Sequence, residues 1–473
     1  MQHENKDVVN EIKNNRSGNC LLCAVSFAAY SFLASLSAME TNAAVAGFYG
    51  AEHAPLFYSF LLLSTAAGFA VFGITQIKMV LHDNRIFAFV SGILFAISMI
   101  LIYLLPTIVP IFIPALLSPF VVGALGCLVY YRAADVLHGN KHLGIIIGGA
   151  YSVSVFVQFL VQNTVPHNIA RMFILIALFC CVIPLNMRIP DMFISRNGDS
   201  DNTHGKSPDR SLWIIAATVF VVALMIGVYD GMAAEFSAAQ KMNLAGWPRL
   251  LLGLGTVAAG YLFDIGHRQY LNILILCAAI VNTVNVLLLS TAHTYVLSQV
   301  LMYSSMGFFV LYLMVSFIEV APDSPRPAIW AGAGRISYLI AMAVTTSLTG
   351  LLNKAPAVVL DIIMMVLLLV IFLMFAMNGM LSVGGGERET QTVLSQEERV
   401  RSFAGKFQLT PRETEVLKAV SSNEKTLAAI ASEMGISERV LQRHLSSIYK
   451  KTGTQTRNGL TLALHGIVSD SHK

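Results

Sequence analysis

Twelve stretches of the chain stay apolar for roughly the 20 residues that a bilayer-crossing helix needs. They lie at about 19–39, 55–77, 86–105, 108–131, 143–164, 169–187, 211–231, 248–263, 270–290, 294–318, 328–351 and 357–380. The longest polar break among them, from Arg188 to Arg210, follows the sixth and divides them six and six. Beyond residue 380 the pattern changes. Leu381 to Gln408 is rich in Gly, Glu, Arg, Gln and Ser, starts with Gly384 to Gly386, and reads as a linker with a short helix near 395–404. Short amphipathic helices then follow. Val416, Leu417 and Val420 mark one buried face, and Leu427, Ile430, Ala431 and Met434, spaced i, i+3, i+4, i+7, mark the next. Leu441, Leu445 and Ile448 form the inward stripe of a third helix, and Leu460, Leu462, Ala463 and Ile467 that of a fourth. The expected fold is all-α: twelve transmembrane helices and a small four-helix domain. The expected divisions are a tail (1–18), a first half (19–187), a central loop (188–210), a second half (211–380), a linker (381–407) and the C-terminal domain (408–473).

Composition sharpens this division. Apolar residues make up 55% of the 473 positions and charged ones only 12%, with a mean hydropathy of +0.66, too little charge to cover a soluble protein of this length. Residues 381–473 hold 13 of the 31 Lys and Arg, so the C-terminal part is the soluble one. The net charge of +4 decides nothing. Six cysteines fall in or beside apolar runs; Cys20 and Cys23 form a C-x-x-C, but no second pair or nearby His completes a metal set, and packing explains them. Residues 1–18 are polar and mixed in sign, unlike a secretory leader, so the first apolar run reads as a retained span. Loops after even-numbered spans carry ten Lys or Arg, from Lys78 to Arg326. Loops after odd-numbered spans hold only Lys241 and Lys354, with Arg171 and Arg249 at helix ends. The positive-inside bias therefore places both termini in the cytoplasm, as expected of a multi-pass protein of a bacterial cytoplasmic membrane.

The two halves carry traces of a repeat. "GGAYSVS" (Gly148 to Ser154) in the fifth span is similar to "GAGRISY" (Gly332 to Tyr338) in the eleventh. "GYLFDIGHR" after the eighth span (Gly260, Leu262, Asp264, Gly266, Arg268) resembles the Gly-x-Leu-x-Asp loop motif of the Major Facilitator Superfamily, one residue short between Asp and Gly. The corresponding first-half stretch keeps only Gly73 and Arg85. With the six-plus-six arrangement and the long middle loop, some 360 residues resemble that superfamily. The resemblance implies a bundle of two similar halves around a central site.

In the C-terminal domain, "TPRE" supplies an N-cap at Thr410, Pro411 at the first helical position and Glu413 to close a capping box. Gly435 ends the second helix and Ser437 is the expected cap of the third, which makes a helix-turn-helix. Thr456 is the expected cap of the fourth. "LTPRETEVL", "IASEMGIS" and the H-L-x-x-I-Y-x-K-x-G run from His444 closely resemble the LuxR-type DNA-binding domain. That resemblance implies a recognition helix in the major groove of promoter DNA and pairing of two copies through the fourth helix. By position it puts base contacts on Gln442, Arg443 and Ser446, with Lys450 and Lys451 where phosphates pass. Two departures matter. Gln442 stands where a Lys is common, and Ala428 and Ala429 replace a polar pair, which changes the base read and removes backbone contacts. A helix-turn-helix that binds only protein is the alternative.

Polar residues inside spans are costly and mark candidate sites. Gln158 and Gln162 share a face of the fifth span, Asn282 and Asn285 one of the ninth, and Arg335 lies a third of the way through the eleventh; Tyr229, Asp230, Glu235 and Asp361 are expected near outer ends. Each can serve as an interhelical hydrogen bond or as the lining of a ligand cavity between the halves. Gly144 and Gly148 form a small-xxx-small pair suited to helix packing. No nucleophile–base pair, phosphate loop or metal cluster stands out, so neither enzyme chemistry nor a cofactor is expected. The expectation is a membrane-embedded regulator in which the bundle senses an unknown small molecule and the tail binds promoter DNA. The alternatives are a working secondary transporter with a regulatory tail, or a scaffold.

Overall fold

The computed structural model describes residues 2–49, 54–78, 84–104, 111–166, 169–189 and 210–238, then, with short gaps, 241–377 and 400–454, together with 460. It falls into two compact units, Met1–Val383 and Gly384–Lys473. No strand occurs among the described residues.

The first unit consists of twelve α-helices among the described residues. They are α1 (Gln2–Tyr49), α2 (Ala54–Lys78), α3 (Asn84–Leu104), α4 (Phe112–Leu137), α5 (Leu143–Thr164) and α6 (Ile169–Met187), then α7 (Arg210–Ala238), α8 (Leu250–Asp264), α9 (Leu271–Thr291), α10 (Tyr295–Val320), α11 (Pro327–Leu352) and α12 (Ala357–Met377). A 3-10 turn, Trp247–Arg249, leads into α8. Ten of the helices are long and apolar enough to cross a bilayer. The other two are α3, whose apolar run is Phe89–Leu104, and α8, with 15 residues. Three helices outrun the expected spans: α1 continues on both sides of 19–39, α4 runs on to Leu137, and α7 to Ala238.

The packing is a two-fold exchange. In the first half α1 packs against α4, α5 and α6, α2 against α4, and α3 against α4 and α6. Adding six to each number gives pairs that also pack in the second half. Across the halves the extensive contacts are α2 with α11 and α5 with α8, a set that the same shift maps onto itself. The weak likeness between Gly148–Ser154 and Gly332–Tyr338 therefore falls on equivalent helices, α5 and α11.

Small residues make the α5–α8 seam possible. A Cβ on Gly144 would lie 2.6 Å from the Gly260 carbonyl oxygen, one on Gly260 would lie 2.5 Å from that of Gly144, and one on Gly148 would lie 2.4 Å from that of Thr256. Gly144 and Gly148 on one helix thus face Thr256 and Gly260 on the other, each pair spaced i, i+4, so the backbones touch. Thr256 adds a hydroxyl bond to the Gly148 carbonyl at 3.3 Å. Where the seam ends, Asp264 accepts from the amides of Gly144 (2.8 Å, Oδ1) and Ile145 (2.9 Å, Oδ2). These amides open α5, so the carboxylate caps that helix from the other half and meets its positive dipole end. The Asp of the superfamily-like motif is a clasp between the halves.

A second polar lock braces the first half. Glu40 of α1 is buried and accepts from Arg171 of α6 at 2.7 Å and from the Tyr103 hydroxyl of α3 at 2.5 Å. Arg171 also donates to the carbonyls of Gln162 (3.1 Å) and Val165 (2.6 and 2.9 Å), which the end of α5 leaves open. The described cysteines are free, and Cys23 and Cys127 are packed in the core.

The seam makes a direct prediction. Gly148→Leu should part α5 from α8 and lower the thermal unfolding midpoint of the purified protein, at a cost of about 1–3 kcal/mol. Gly149→Ala, one position along and facing open space, should leave the midpoint unchanged. Equal midpoints for both variants would show that the seam does not need the close approach.

Candidate DNA-binding surface and membrane-domain site

The C-terminal unit is built from α13 (Pro411–Ser421), α14 (Leu427–Glu433) and α15 (Glu438–Thr452). The faces expected to be buried are buried: Val416, Leu417, Val420, Ile430, Ala431, Leu441, Leu445 and Ile448 share one core, with Leu427 and Met434 against it. Val400 and Phe403 also enter this core. The folded unit therefore starts within the stretch read as linker. Leu460 is buried there too, while Thr456, Leu462, Ala463 and Ile467 of the expected fourth helix lie outside the described residues.

The turns are set by backbone chemistry. Gly435, at φ +66°, ends α14, and the Ile436 amide bonds back to the Ala431 carbonyl at 3.0 Å, a Schellman closure that glycine permits without strain. Ser437 occupies the N-cap of α15 with extended backbone, but its side chain makes no capping bond; its carbonyl receives the amides of Val440 and Leu441.

Glu413 holds the domain together. The capping box closes both ways: the Thr410 amide donates to Glu413 Oε2 (2.7 Å) and the Glu413 amide to Thr410 Oγ1 (3.3 Å). The same carboxylate accepts from Ser447 Oγ at 2.6 Å and from Lys451 Nζ at 2.7 Å, which ties α13 to α15, the expected recognition helix. Burial alone would push this carboxyl up, but Lys451, Ser447 and Thr410 together bring it down to about 2.

The outer face of α15 carries Gln442, Arg443, Ser446, Lys450 and Lys451, all exposed. Gln442 Nε2 donates to Glu438 Oε1 at 3.2 Å, and the Ser446 hydroxyl donates to the Gln442 carbonyl at 2.9 Å. Among the described residues Arg443 and Lys450 have no partner, so their donors face outward. Lys451 differs: it donates to Glu413 and to the Gln408 carbonyl (3.2 Å), which leaves one N–H for an outside acceptor.

In the membrane unit the structure brings some of the expected residues together and separates others. Arg249, in the 3-10 turn before α8, donates to Gln158 Oε1 (3.2 Å) and Gln162 Oε1 (3.4 Å) of α5. Both glutamines donate through Nε2 to Met39 Sδ of α1, at 3.1 and 2.8 Å. Asp230 lies on α7, eight residues before that helix ends. It lies within electrostatic reach of Arg249. Arg335 of α11 lies within such reach of Tyr30, Tyr130, Tyr151 and Tyr338, with its guanidinium carbon 5.4 Å from the Tyr338 ring centre. Tyr58 feels Asp230, Arg335 and Arg249 together. The contributing elements are α1, α2, α4, α5, α7, α11 and the turn into α8, which belong to both halves. Asn282 and Asn285 of α9 form a separate place. Both are buried, the Asn282 amide reaches no partner at hydrogen-bond distance, and Asn285 lies beside Tyr229. Tyr229 is bonded by Ser298 at 3.4 Å. The side chain of Glu235 lies outside the described residues, and Asp361 stands near the start of α12.

Comparison with known proteins agrees with both units. Residues 408–464 match the family of bacterial regulatory proteins of the luxR type. Over 70 residues the chain is 40% identical to the transcriptional regulatory protein YdfI of Bacillus subtilis (strain 168), 15% of this chain and 32% of that one. The chain thus spans about a third of the length of that curated relative. The fold is similar to a crystal structure of the human organic anion transporter MFSD10 (TETRAN), with a TM-score of 0.54 and 12% identity, over 74% of this chain and 99% of that one. Residues 408–464 are a LuxR-type helix-turn-helix domain, joined in one polypeptide to a membrane domain whose fold is similar to that of the transporter.

The Glu413 lock yields a pH prediction. Because its folded pKa is depressed, its contribution is complete above the ordinary carboxylate range and is lost as pH falls from about 4.5 to about 2. The isolated tail should therefore lose on the order of 2 kcal/mol of stability across that window by chemical denaturation. Glu413→Gln should already be destabilised at pH 7 and show a flatter profile; a variant with the wild-type profile would assign the acid sensitivity elsewhere.

Proposed function

We propose that this chain is a one-component transcription regulator: the membrane bundle senses a small molecule and the tethered LuxR-type domain acts on promoter DNA. The observation that carries the reading is the convergence of Arg249, Asp230, Arg335 and tyrosines from both halves in a chain that also holds a DNA-reading domain. With sensor and reader in one polypeptide, the message needs no phosphorelay. The bundle crosses the membrane twelve times with both termini in the cytoplasm. In the tail, Arg443 reads guanine, Gln442 reads adenine and Ser446 supports them, while Lys450 and the remaining donor of Lys451 meet phosphates. Two tails pair through the fourth helix on an inverted repeat. The ligand acts only through its different affinity for the two tilts of the halves; turning a 1:99 population to 99:1 takes about 5.5 kcal/mol of such difference.

A second reading, a working secondary transporter whose tail regulates it, is favoured by the Asp264 clasp, which a rocking pair of halves would make and break. Uptake into proteoliposomes separates the two: a regulator gives none.

The reading predicts that Arg443→Ala costs about 1–3 kcal/mol of promoter binding and relaxes selectivity at one base position. Lys450→Ala should weaken all sequences alike and flatten the salt dependence. Intact selectivity in Arg443→Ala would move the recognition face elsewhere. Reporter fusions at Ser200 and Ser395 should read as cytoplasmic and one at Ala51 as external; an external signal from Ser395 would leave the tail no DNA to bind. In cells, the double change Gln158→Ala with Gln162→Ala should blunt induction of the target promoter while the isolated tail binds DNA as before, and unchanged induction would remove these residues from the sensing path.

A further inference from the structure

Arg335 is a permanently charged group placed a third of the way along α11, inside the bundle, and its Nε is buried with no partner. Among the described residues it makes no hydrogen bond and no ion pair; the groups that it feels are tyrosines, with the Tyr338 ring centre 5.4 Å from its guanidinium carbon. Arg335 as a whole is half-buried, but a guanidinium whose Nε is cut off from solvent with no partner is costly, and the cost is relieved when an anion arrives. Arg171, by comparison, has its carboxylate at 2.7 Å and its remaining donors on carbonyls, so the fold supplies partners where the role is structural.

The charge around Arg335 is also specific. Arg249 and Asp230 are the other charged groups in reach of Tyr58 beside it, so the three sum to one positive charge. Arg249 is already held by Gln158 and Gln162, and Asp230 lies in its field. Arg335 is left as the group with donors to give. Its fork fits a carboxylate in a bidentate manner; Tyr30 and Tyr130 are packed against each other in the core, while the half-buried Tyr151 and Tyr338 are the rings in its reach that an apolar body could meet. We propose that the bundle binds a small organic monoanion, a carboxylate with an apolar or aromatic body, whose carboxylate pairs with Arg335.

This proposal rests on the sensing reading for its biological meaning, but not for its chemistry, and the two can fail separately. The test uses the full-length protein in lipid nanodiscs and a matched series of probes: benzoate, phenylacetate and 4-hydroxyphenylacetate beside the corresponding amides and benzylamine. Thermal unfolding is followed at millimolar probe, where a binder raises the midpoint by mass action. At least one carboxylate should raise the midpoint by several degrees, its amide should not, and Arg335→Gln should abolish the shift. Arg335→Lys, which keeps the charge but loses the fork, should retain part of it, and it serves as the folded reference should Arg335→Gln elute as aggregate. No shift with any carboxylate, an equal shift with the amides or benzylamine, or a full shift in Arg335→Gln would overturn the proposal. Carboxylate binding through Arg335 without any change in promoter activity would instead overturn sensing and leave the anion site standing.

Discussion

The contact on which the rest depends is the backbone approach of α5 to α8. Two helices from different halves can touch this closely only because Gly144, Gly148 and Gly260 have no side chains there and Thr256 turns its hydroxyl onto a carbonyl. In a bilayer, lipid tails are as apolar as leucine, so helices gain little from hiding apolar surface and associate through close packing and polar bonds. The seam uses both. It is held at one end by Asp264 on the opening amides of α5, and near the other by Arg249 on Gln158 and Gln162. A change in the tilt of the halves has to loosen one of these attachments. The charged residues nearest the proposed ligand site and those that hold the halves together are thus partly the same, which is how, in the proposed sensor, occupancy would be felt as a change of shape.

The DNA-reading domain uses a comparable economy on a smaller scale. One buried carboxylate, Glu413, closes a capping box on α13 and reaches across to Ser447 and Lys451 of α15, the proposed recognition helix. The orientation of α15 is therefore set from the helix that precedes the helix-turn-helix. Arg443 and Lys450 stay unengaged on the outer face, while the amine of Lys451 is divided between the fold and whatever lies outside it.

Much of this was legible in the chain because the relevant signals are local. Apolar runs give twelve helices, i, i+4 spacing gives the Gln158–Gln162 face and the Gly144–Gly148 pair, and a four-residue capping box gives the start of α13. What was not legible depends on partners far along the chain. Nothing near Arg249 points to glutamines 87 and 91 positions away, nor near Asp264 to amides 119 and 120 positions back. Glu40 drew no notice for another reason: hydropathy locates apolar stretches, whereas α1 continues beyond its own, and the carboxylate is buried where that continuation begins. Val400 and Phe403 were hidden among charged neighbours that broke their pattern.

The central claim is that the state of the bundle and the state of the DNA-binding tail are linked, and linkage works in both directions. Operator DNA added to the tail must then shift the bundle. The direct measurement is the distance between spin labels at Phe89 on α3 and Tyr270 at the start of α9, by double electron–electron resonance, in a full-length variant with its native cysteines replaced. The account predicts that operator DNA changes the distance distribution and that scrambled DNA of equal length does not. A distribution identical with and without operator, in a protein shown to be bound to it, would contradict the account.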